Sequence, residues 1–341
     1  MMTTITISKA EELIERILCK SGFLSETARQ VAQHLAQAEA TGMTSHGINR
    51  MAYYLSLAEK RMLELKAQPR IAKQFGAFAL VDGDRGLGIP AANLAMEYLI
   101  SSTRLNGVAA AGLVNCGHTG RMGAYSEEAA KADCILISFG GAGRKEYPYV
   151  VPFGSREPFY STNPFSFGAP AGDKSPAVLD FAASVVAQGK VAVAKAKGQQ
   201  LPDGCIVDRD GCPTTDPDDF YDGGALLPFG GVKGSGMGLM AELISSAMFG
   251  ESAEFNWLFL CVKADAFREM KAYRKDAESM ISELHALKPA EGFKQVLMPG
   301  ELEAEKLLTA QVEGLHIPES IWTVLTDVAH NYGVEVAEYL D

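Results

Sequence analysis

No CxxC pair occurs among the six cysteines, Cys19, Cys116, Cys134, Cys205, Cys212 and Cys261. A disulfide framework and a structural zinc site therefore lack their usual signatures, and the scattering fits a reduced cytoplasm. No uninterrupted apolar run is long enough to span a bilayer. The opening Met1-Met2-Thr3-Thr4-Ile5-Thr6-Ile7 has neither the basic nor the apolar region of a secretory signal. Positive charge is scarce: 31 Lys and Arg stand against 42 Asp and Glu, a net charge of −11. With no obvious basic face to neutralise phosphates, nucleic acid is excluded as a partner. HExxH, GxSxG and the acidic spacing of a calcium loop are also missing, which removes the standard signals of zinc peptidases, serine hydrolases and EF-hands.

What is present describes a globular protein of about two lobes: 341 residues, 47% hydrophobic and 21% charged. Periodicity and capping residues predict helices from Ser8 to Cys19, Ser25 to Ala40 and Ile48 to Leu65. From Ala77 the pattern alternates. Strands are expected at Phe78 to Asp82, Val108 to Val114, Cys134 to Phe139, Ala177 to Asp180 and Trp257 to Lys263. Helices are expected at Ala91 to Leu105, Gly123 to Ala132, Val186 to Lys197, Gly236 to Phe249 and Ala266 to Leu287. The segments from Gly140 to Gly168 and from Gly198 to Leu227 read as loop. Glu301 to Leu340 is largely helical and can fold back on the opening helices.

Candidate chemistry centres on Thr44-Ser45-His46-Gly47-Ile48-Asn49-Arg50. Gly42 reads as the stop of the preceding helix and Ser45 as a candidate cap for the next. His46 can exchange a proton near neutral pH, and Arg50, four residues on along one helical face, can grip a carboxylate with two parallel hydrogen bonds. The combination suits a small anionic substrate; the plainer reading is a capping histidine and a solvated arginine.

Three glycine-rich turns compete for a phosphate-bearing ligand. Gly86-Leu87-Gly88-Ile89-Pro90-Ala91 mimics a dinucleotide fingerprint, but the following strand ends in Asn115 with no acidic residue for a ribose, so a simple flexible turn is favoured. Gly230 to Gly236 combines freed backbone N–H groups, Lys233 and a helix start; it is not a Walker A loop, because Lys233 is not followed by Ser or Thr. Asn115-Cys116-Gly117-His118-Thr119-Gly120-Arg121-Met122-Gly123 joins a strand to a helix and brings a second histidine and arginine. Cys116 reads as a buried filler, and Asp208-Arg209-Asp210-Gly211 as a surface turn.

The ordered motifs together resemble the malate/L-lactate dehydrogenase family of the non-Rossmann type, which includes ureidoglycolate, sulfolactate and other hydroxycarboxylate dehydrogenases and cyclic-imine carboxylate reductases. The matching pieces are Ser45-His46-Gly47 with Arg50, Asn115 to Gly123 with Tyr125, Ser161-Thr162-Asn163-Pro164, Asp180-Phe181-Ala182-Ala183-Ser184, Pro213-Thr214-Thr215-Asp216-Pro217, Leu226-Leu227-Pro228 through Lys233-Gly234, and Pro299-Gly300-Glu301 with Glu303.

The resemblance implies an α/β fold with a mixed sheet and a helical subdomain formed by both chain ends. Residues 1–75 and 300–341 would make that subdomain and 76–299 the cofactor- and substrate-binding domain, in a cytoplasmic homodimer. It implies His46 as proton donor, Ser45 as its relay partner, His118 as the rival acid/base, and Arg50 and Thr162 as substrate contacts. His118, Thr119, Gly120, Arg121, Met122, Asp180, Phe181, Ala182, Lys233, Gly234, Pro299, Gly300 and Glu301 would line NAD or NADP, with NAD favoured, and no metal is expected. Three places depart from the family pattern: Gly140-Gly141-Ala142-Gly143 replaces an Asn-containing segment, Gln188 stands where the imine reductases have an acid, and Gln311 stands where a base is usual. The expected reaction interconverts a small 2-hydroxy acid and its 2-oxo acid. Reduction of a cyclic 2-imino acid, a non-catalytic binding role and a metal-dependent hydrolase are the alternatives.

Overall fold

The computed structural model describes residues 2–172, 175–252 and 254–340. The chain opens with β1 (Met2–Ile5), α1 (Ile7–Lys20), α2 (Ser25–Ala40) and α3 (Arg50–Glu59). A β-hairpin, β2 (Arg70–Phe75) and β3 (Phe78–Asp82), leads to α4 (Gly88–Asn106), β4 (Val108–Val114), α5 (Met122–Lys131) and β5 (Cys134–Gly141). Then come β6 (Pro164–Ala169), β7 (Ala177–Ala182) and α6 (Gln188–Ala196). A small unit of β8 (Ile206–Val207), β9 (Pro213–Thr214), α7 (Pro217–Tyr221) and β10 (Ala225–Leu226) precedes α8 (Val232–Phe249) and β11 (Asn256–Lys263). The chain closes with α9 (Met270–His285), α10 (Glu301–Glu313), β12 (Leu315–Pro318) and α11 (Glu319–Asn331).

Two cores organise these elements. One gathers Leu13, Ile14, Ile17, Val31, Leu35, Ile48, Met51 and Tyr54 from the opening helices with Leu315, Ile317, Trp322 and Leu325 from the end of the chain. Antiparallel pairing of β1 with β12, from Met2 opposite Pro318 to Ile5 opposite Leu315, ties the two ends together. The other core lies against a seven-stranded mixed sheet of order β2-β3-β4-β11-β5-β6-β7, in which β3 and β4 run parallel and every other pair antiparallel. Strand alternation does the sorting: Ala109, Ala111 and Leu113 of β4 join the core that includes α4 and α5. Between them Gly112 faces the other way, where a Cβ would collide with Phe249 of α8.

Several elements differ from the sequence expectation. The third helix stops at Glu59 rather than Leu65: Arg61 takes a left-handed conformation and Met62 N–H returns to Leu57 O at 2.9 Å, closing the helix without a glycine. β2 is exposed along its whole length and so carries no alternation to read. β6 emerges from the expected loop because Phe165 and Phe167 pair with β5 and β7 immediately after a proline. The expected loop to Leu227 holds three two-residue strands and α7.

One buried carboxyl fastens the helical core to the turn that follows it. Glu39 of α2 is 7% exposed, and its Oε2 accepts the Ile48 N–H at 3.0 Å. Gly47 permits this approach, since a Cβ there would lie 2.1 Å from that oxygen. Burial lifts the Glu39 pKa from 4.5 to about 7 despite the opposing Ile48 hydrogen bond. The folded state therefore holds a proton that the unfolded chain releases, and stability declines as pH rises from the unfolded value through about 7. Glu39→Gln keeps an acceptor and removes the titration. Denaturant unfolding should show wild type losing roughly 3 kcal/mol relative to this variant between about pH 4 and about pH 8; parallel pH dependences would sink the assignment.

Candidate active site

Two turns supply the titratable centre. α2 is closed by Gly42, at φ +79°, beyond which Met43 N–H returns to Ala38 O at 2.8 Å. Thr44–His46 then forms a single 3-10 turn, and α3 opens at Arg50. His46 and Arg50 thus lie at a junction rather than on one continuous helix. Arg50 is aimed instead by its Nε donating to Ser45 O at 2.7 Å. Ser45 does not cap α3; its Oγ lies 3.0 Å from His46 Nδ1. Among the described residues no carboxylate forms an ion pair with Arg50.

The second turn, between β4 and α5, delivers His118. Its ring stacks beside His46 with centroids 5.4 Å apart. Gly120 N–H donates to its Nδ1 at 3.2 Å, and Tyr54 Oη lies 2.7 Å from the same atom. A backbone N–H can only donate, so Nδ1 is the acceptor and the neutral ring carries its proton on Nε2. Burial, reinforced by Arg50, drives the His118 pKa well below its ordinary value. Burial followed by Arg50 and Arg121 takes His46 down to about 4. Both rings are neutral at pH 7.

The same turn is braced from three sides. His34, buried on α2, accepts Arg121 N–H at 2.7 Å, and burial lowers its pKa to about 3, keeping it an acceptor. Tyr125 donates to Thr119 O at 2.7 Å. Gly123 N–H donates to Asp180 Oδ2 at 2.7 Å, bringing β7 alongside. The Arg121 guanidinium is 4% exposed and pairs with Glu127 at 2.6 Å, while its Nη1 has no hydrogen-bond partner. Met122 begins α5 and is buried. The competing Gly86 turn serves the fold instead, because Gly86 O accepts from Gly117 N at 2.8 Å and Gly88 N–H donates to His118 O at 3.0 Å, clasping the two turns together. Cys116 is buried with its pKa pushed up to about 12, a neutral filler.

The remaining expected residues line up beside β7. Ala183 N–H donates to Thr162 O at 2.8 Å, and Gly234 packs so tightly on Ala183 and Phe229 that no Cβ fits. Lys233 next to it is exposed in the first turn of α8. Phe181 meets Phe229 edge-on and Phe165 face-on. Val178 N–H donates to Pro299 O at 3.0 Å, and Gly300, at φ +95°, sits against Val178. Glu301 is engaged by Met298 N–H at 2.7 Å and His285 Nε2. A cavity of about 430 Å³ opens at the turn into α8, bordered by Val151, Phe153, Val185, Leu227 and Gly231. Among the described residues no titratable side chain borders it.

The sequence pattern of the malate/L-lactate dehydrogenase family matches residues 5–326. The chain belongs to that family. It is 33% identical over 340 residues to the ureidoglycolate dehydrogenase (NAD(+)) of Escherichia coli strain K12, covering 95% of each chain. A Δ1-pyrroline-2-carboxylate/Δ1-piperideine-2-carboxylate reductase of Pseudomonas putida is 36% identical over 255 residues, 74% of each chain. Among solved structures, the sulfolactate dehydrogenase from Methanocaldococcus jannaschii superposes with a TM-score of 0.88 at 31% identity, covering 100% of both chains. As a member of this family the protein is a dehydrogenase.

Sequence reading misses Tyr54, His34, Tyr53 and Glu254. Tyr54 follows Arg50 by four residues on α3, a spacing that draws attention to it once the helix is known; His34 and Glu254 lie far from either motif and carry no local signal. Removing the Tyr54 hydroxyl in Tyr54→Phe leaves His118 Nδ1 with Gly120 alone. We expect denaturant unfolding to show a loss of about 1–2 kcal/mol, and an unchanged midpoint would mean that this bond contributes nothing to the fold.

Proposed function

We propose that the enzyme interconverts a small 2-hydroxy acid and its 2-oxo acid with a nicotinamide cofactor, with Arg50 as carboxylate clamp and two histidines of unequal role. The carrying observation is a guanidinium aimed by Ser45 O, unpaired among the described residues, beside two stacked neutral imidazoles. Arg50 offers its outer nitrogens to the substrate carboxylate. His118, with Nδ1 occupied, presents Nε2–H as a donor to the substrate's C2 oxygen. His46 is the acid/base, and Ser45 Oγ relays its proton from Nδ1. Substrate binding tunes this step: a carboxylate on Arg50 offsets the positive charge that depresses His46, so the imidazole becomes more basic as substrate arrives.

A dinucleotide fits the second group of residues. The unpartnered Nη1 of buried Arg121 supports an anion such as a pyrophosphate there, and the glycines from Gly117 to Gly123 let backbone approach closely. His118, Thr119, Gly120, Arg121 and Met122, then Asp180, Phe181 and Ala182, Lys233-Gly234 and Pro299-Gly300-Glu301 would hold it, while Thr162 would touch substrate. The cofactor supplies the hydride acceptor and donor. NAD is favoured over NADP because Arg121 is paired with Glu127, and Asp180 feels Glu303 and Glu127 as well as Arg121, a setting suited to hydroxyls rather than a further phosphate. Residues 1–75 with 300–341 would form the clamp-bearing subdomain and 76–299 the cofactor-bearing one. A homodimer is supported by the exposed apolar stripe of α8, Val232, Leu239, Met240, Leu243 and Met248.

Reduced-nicotinamide absorbance, followed with 2-oxo acids and cyclic imines and with NADH and NADPH in parallel, tests the reading. Activity confined to the imines would replace it with the cyclic-imine alternative. Arg50→Gln should raise KM for the acid at least ~100-fold, as loss of a charge-assisted bidentate pair implies; an unaltered KM would remove the clamp. His46→Gln should lower kcat by roughly 10² to 10⁴, with His118→Gln less damaging. In hydroxy acid oxidation His46 must be unprotonated, so kcat/KM should stay level below neutrality and fall only as pH drops towards about 4. An inflexion near 6.5 instead would contradict the buried, cation-flanked environment.

A further inference from the structure

A carboxylate that the proton chemistry does not use stands against α3, the helix that carries Arg50. The two tyrosines of α3 point to different partners: Tyr54 reaches His118, while Tyr53 donates to Glu254 Oε1 at 2.7 Å. The Arg50 guanidinium lies 5.8 Å from the centre of the Tyr53 ring. Tyr53 therefore has the clamp beside its ring and Glu254 at its hydroxyl. Glu254 is partly buried just before β11, and among the described residues no cation forms an ion pair with it.

Arg50 and Glu254 carry opposite charges and feel each other's field, yet they do not form an ion pair. Had they met, the clamp would be neutralised before any substrate arrived. Glu254 also acts electrostatically on Tyr54 and Tyr147, in addition to its contact with the Tyr53 hydroxyl. An acid held with C1 on Arg50 lies alongside the Tyr53 ring, and Glu254 stands at the hydroxyl end of that ring, within reach of the acid's remaining substituent. A second carboxylate there meets a like charge in a partly desolvated setting, which is strongly unfavourable, whereas an N–H group finds an acceptor.

Building on the hydroxy acid reading, we propose that Glu254 determines specificity: it rejects dicarboxylic substrates and selects monocarboxylic 2-hydroxy and 2-oxo acids whose tails present N–H donors. Tyr53 is the positioning residue that holds the Glu254 carboxylate.

The test uses an isosteric pair, 2-oxosuccinate with a carboxylate tail and 2-oxosuccinamate with an amide tail, alongside 2-oxopropanoate, which has neither. Wild type should favour the amide over the diacid in kcat/KM by ~10-fold or more, and E254Q should collapse that ratio, chiefly by lowering KM for the diacid. A wild-type preference for the diacid overturns the proposal without any variant. An active E254Q with an unchanged ratio overturns it as well, while leaving the hydroxy acid reading in place. Inactivity of wild type towards all three acids with either nicotinamide, set against turnover of cyclic imines, overturns the underlying reading and this proposal with it.

Discussion

The 2.7 Å contact between Tyr54 Oη and His118 Nδ1 joins two parts of the molecule that sequence keeps 64 residues apart. Tyr54 belongs to the core built from the chain ends, His118 to a turn leaving the central sheet. Burial makes the contact consequential in both directions. A phenol with no partner in such a place would lose its hydration without return, and an imidazole with a free Nδ1 could shift its proton between nitrogens. With Gly120 N–H on the same atom, the tautomer of His118 is set by backbone geometry. The clasp between the Gly86 and Gly117 turns and the contact of His34 with Arg121 N–H then hold the turn at a fixed distance from α2 and α3.

Electrostatics in this protein is local. The chain carries a net charge of −11, yet Arg50 stands where both neutral histidines feel it and Arg121 where His46 does. A diffuse positive surface would attract anions indiscriminately; a guanidinium held by one backbone carbonyl and with no ion-pair partner among the described residues concentrates its charge at one place. Both histidines are kept uncharged by enclosure first and by Arg50 second, with Arg121 adding to the effect on His46, so positive charge does not accumulate where the two rings stack.

Much of this is legible in the residues. The Ser45-His46-Gly47 stretch with Arg50, the His118 to Gly123 turn and the Lys233-Gly234 helix start all declare themselves through residue type and spacing, the helix from Ser25 to Ala40 through its apolar periodicity, though Ser25 does not cap it, and the apolar run from Gly236 to Phe249 marks a helix that opens four residues earlier, at Val232. The sheet is harder. β2 has no buried face, and β1 exists because β12, more than 300 residues later, supplies its hydrogen bonds. The orientation of Arg50 escapes sequence reading for a similar reason: helical spacing suggests one continuous face, whereas Gly47 and the buried Glu39 carboxyl bend the chain before α3 begins. Glu254 is an ordinary acidic residue in sequence, and only the packing of α3 against the segment before β11 gives it a neighbour of consequence.

The pairing of β1 with β12 also fixes a time order. During synthesis α1, α2 and α3 emerge long before β12 and α11 exist to cover their apolar faces, so the core that carries Ser45, His46 and Arg50 must wait for the far end of the chain. The sheet and the His118 turn can form first, from segments already made. Throughout elongation Arg50 and the two imidazoles remain apart, and the turns that carry them come together only when the last strand has docked.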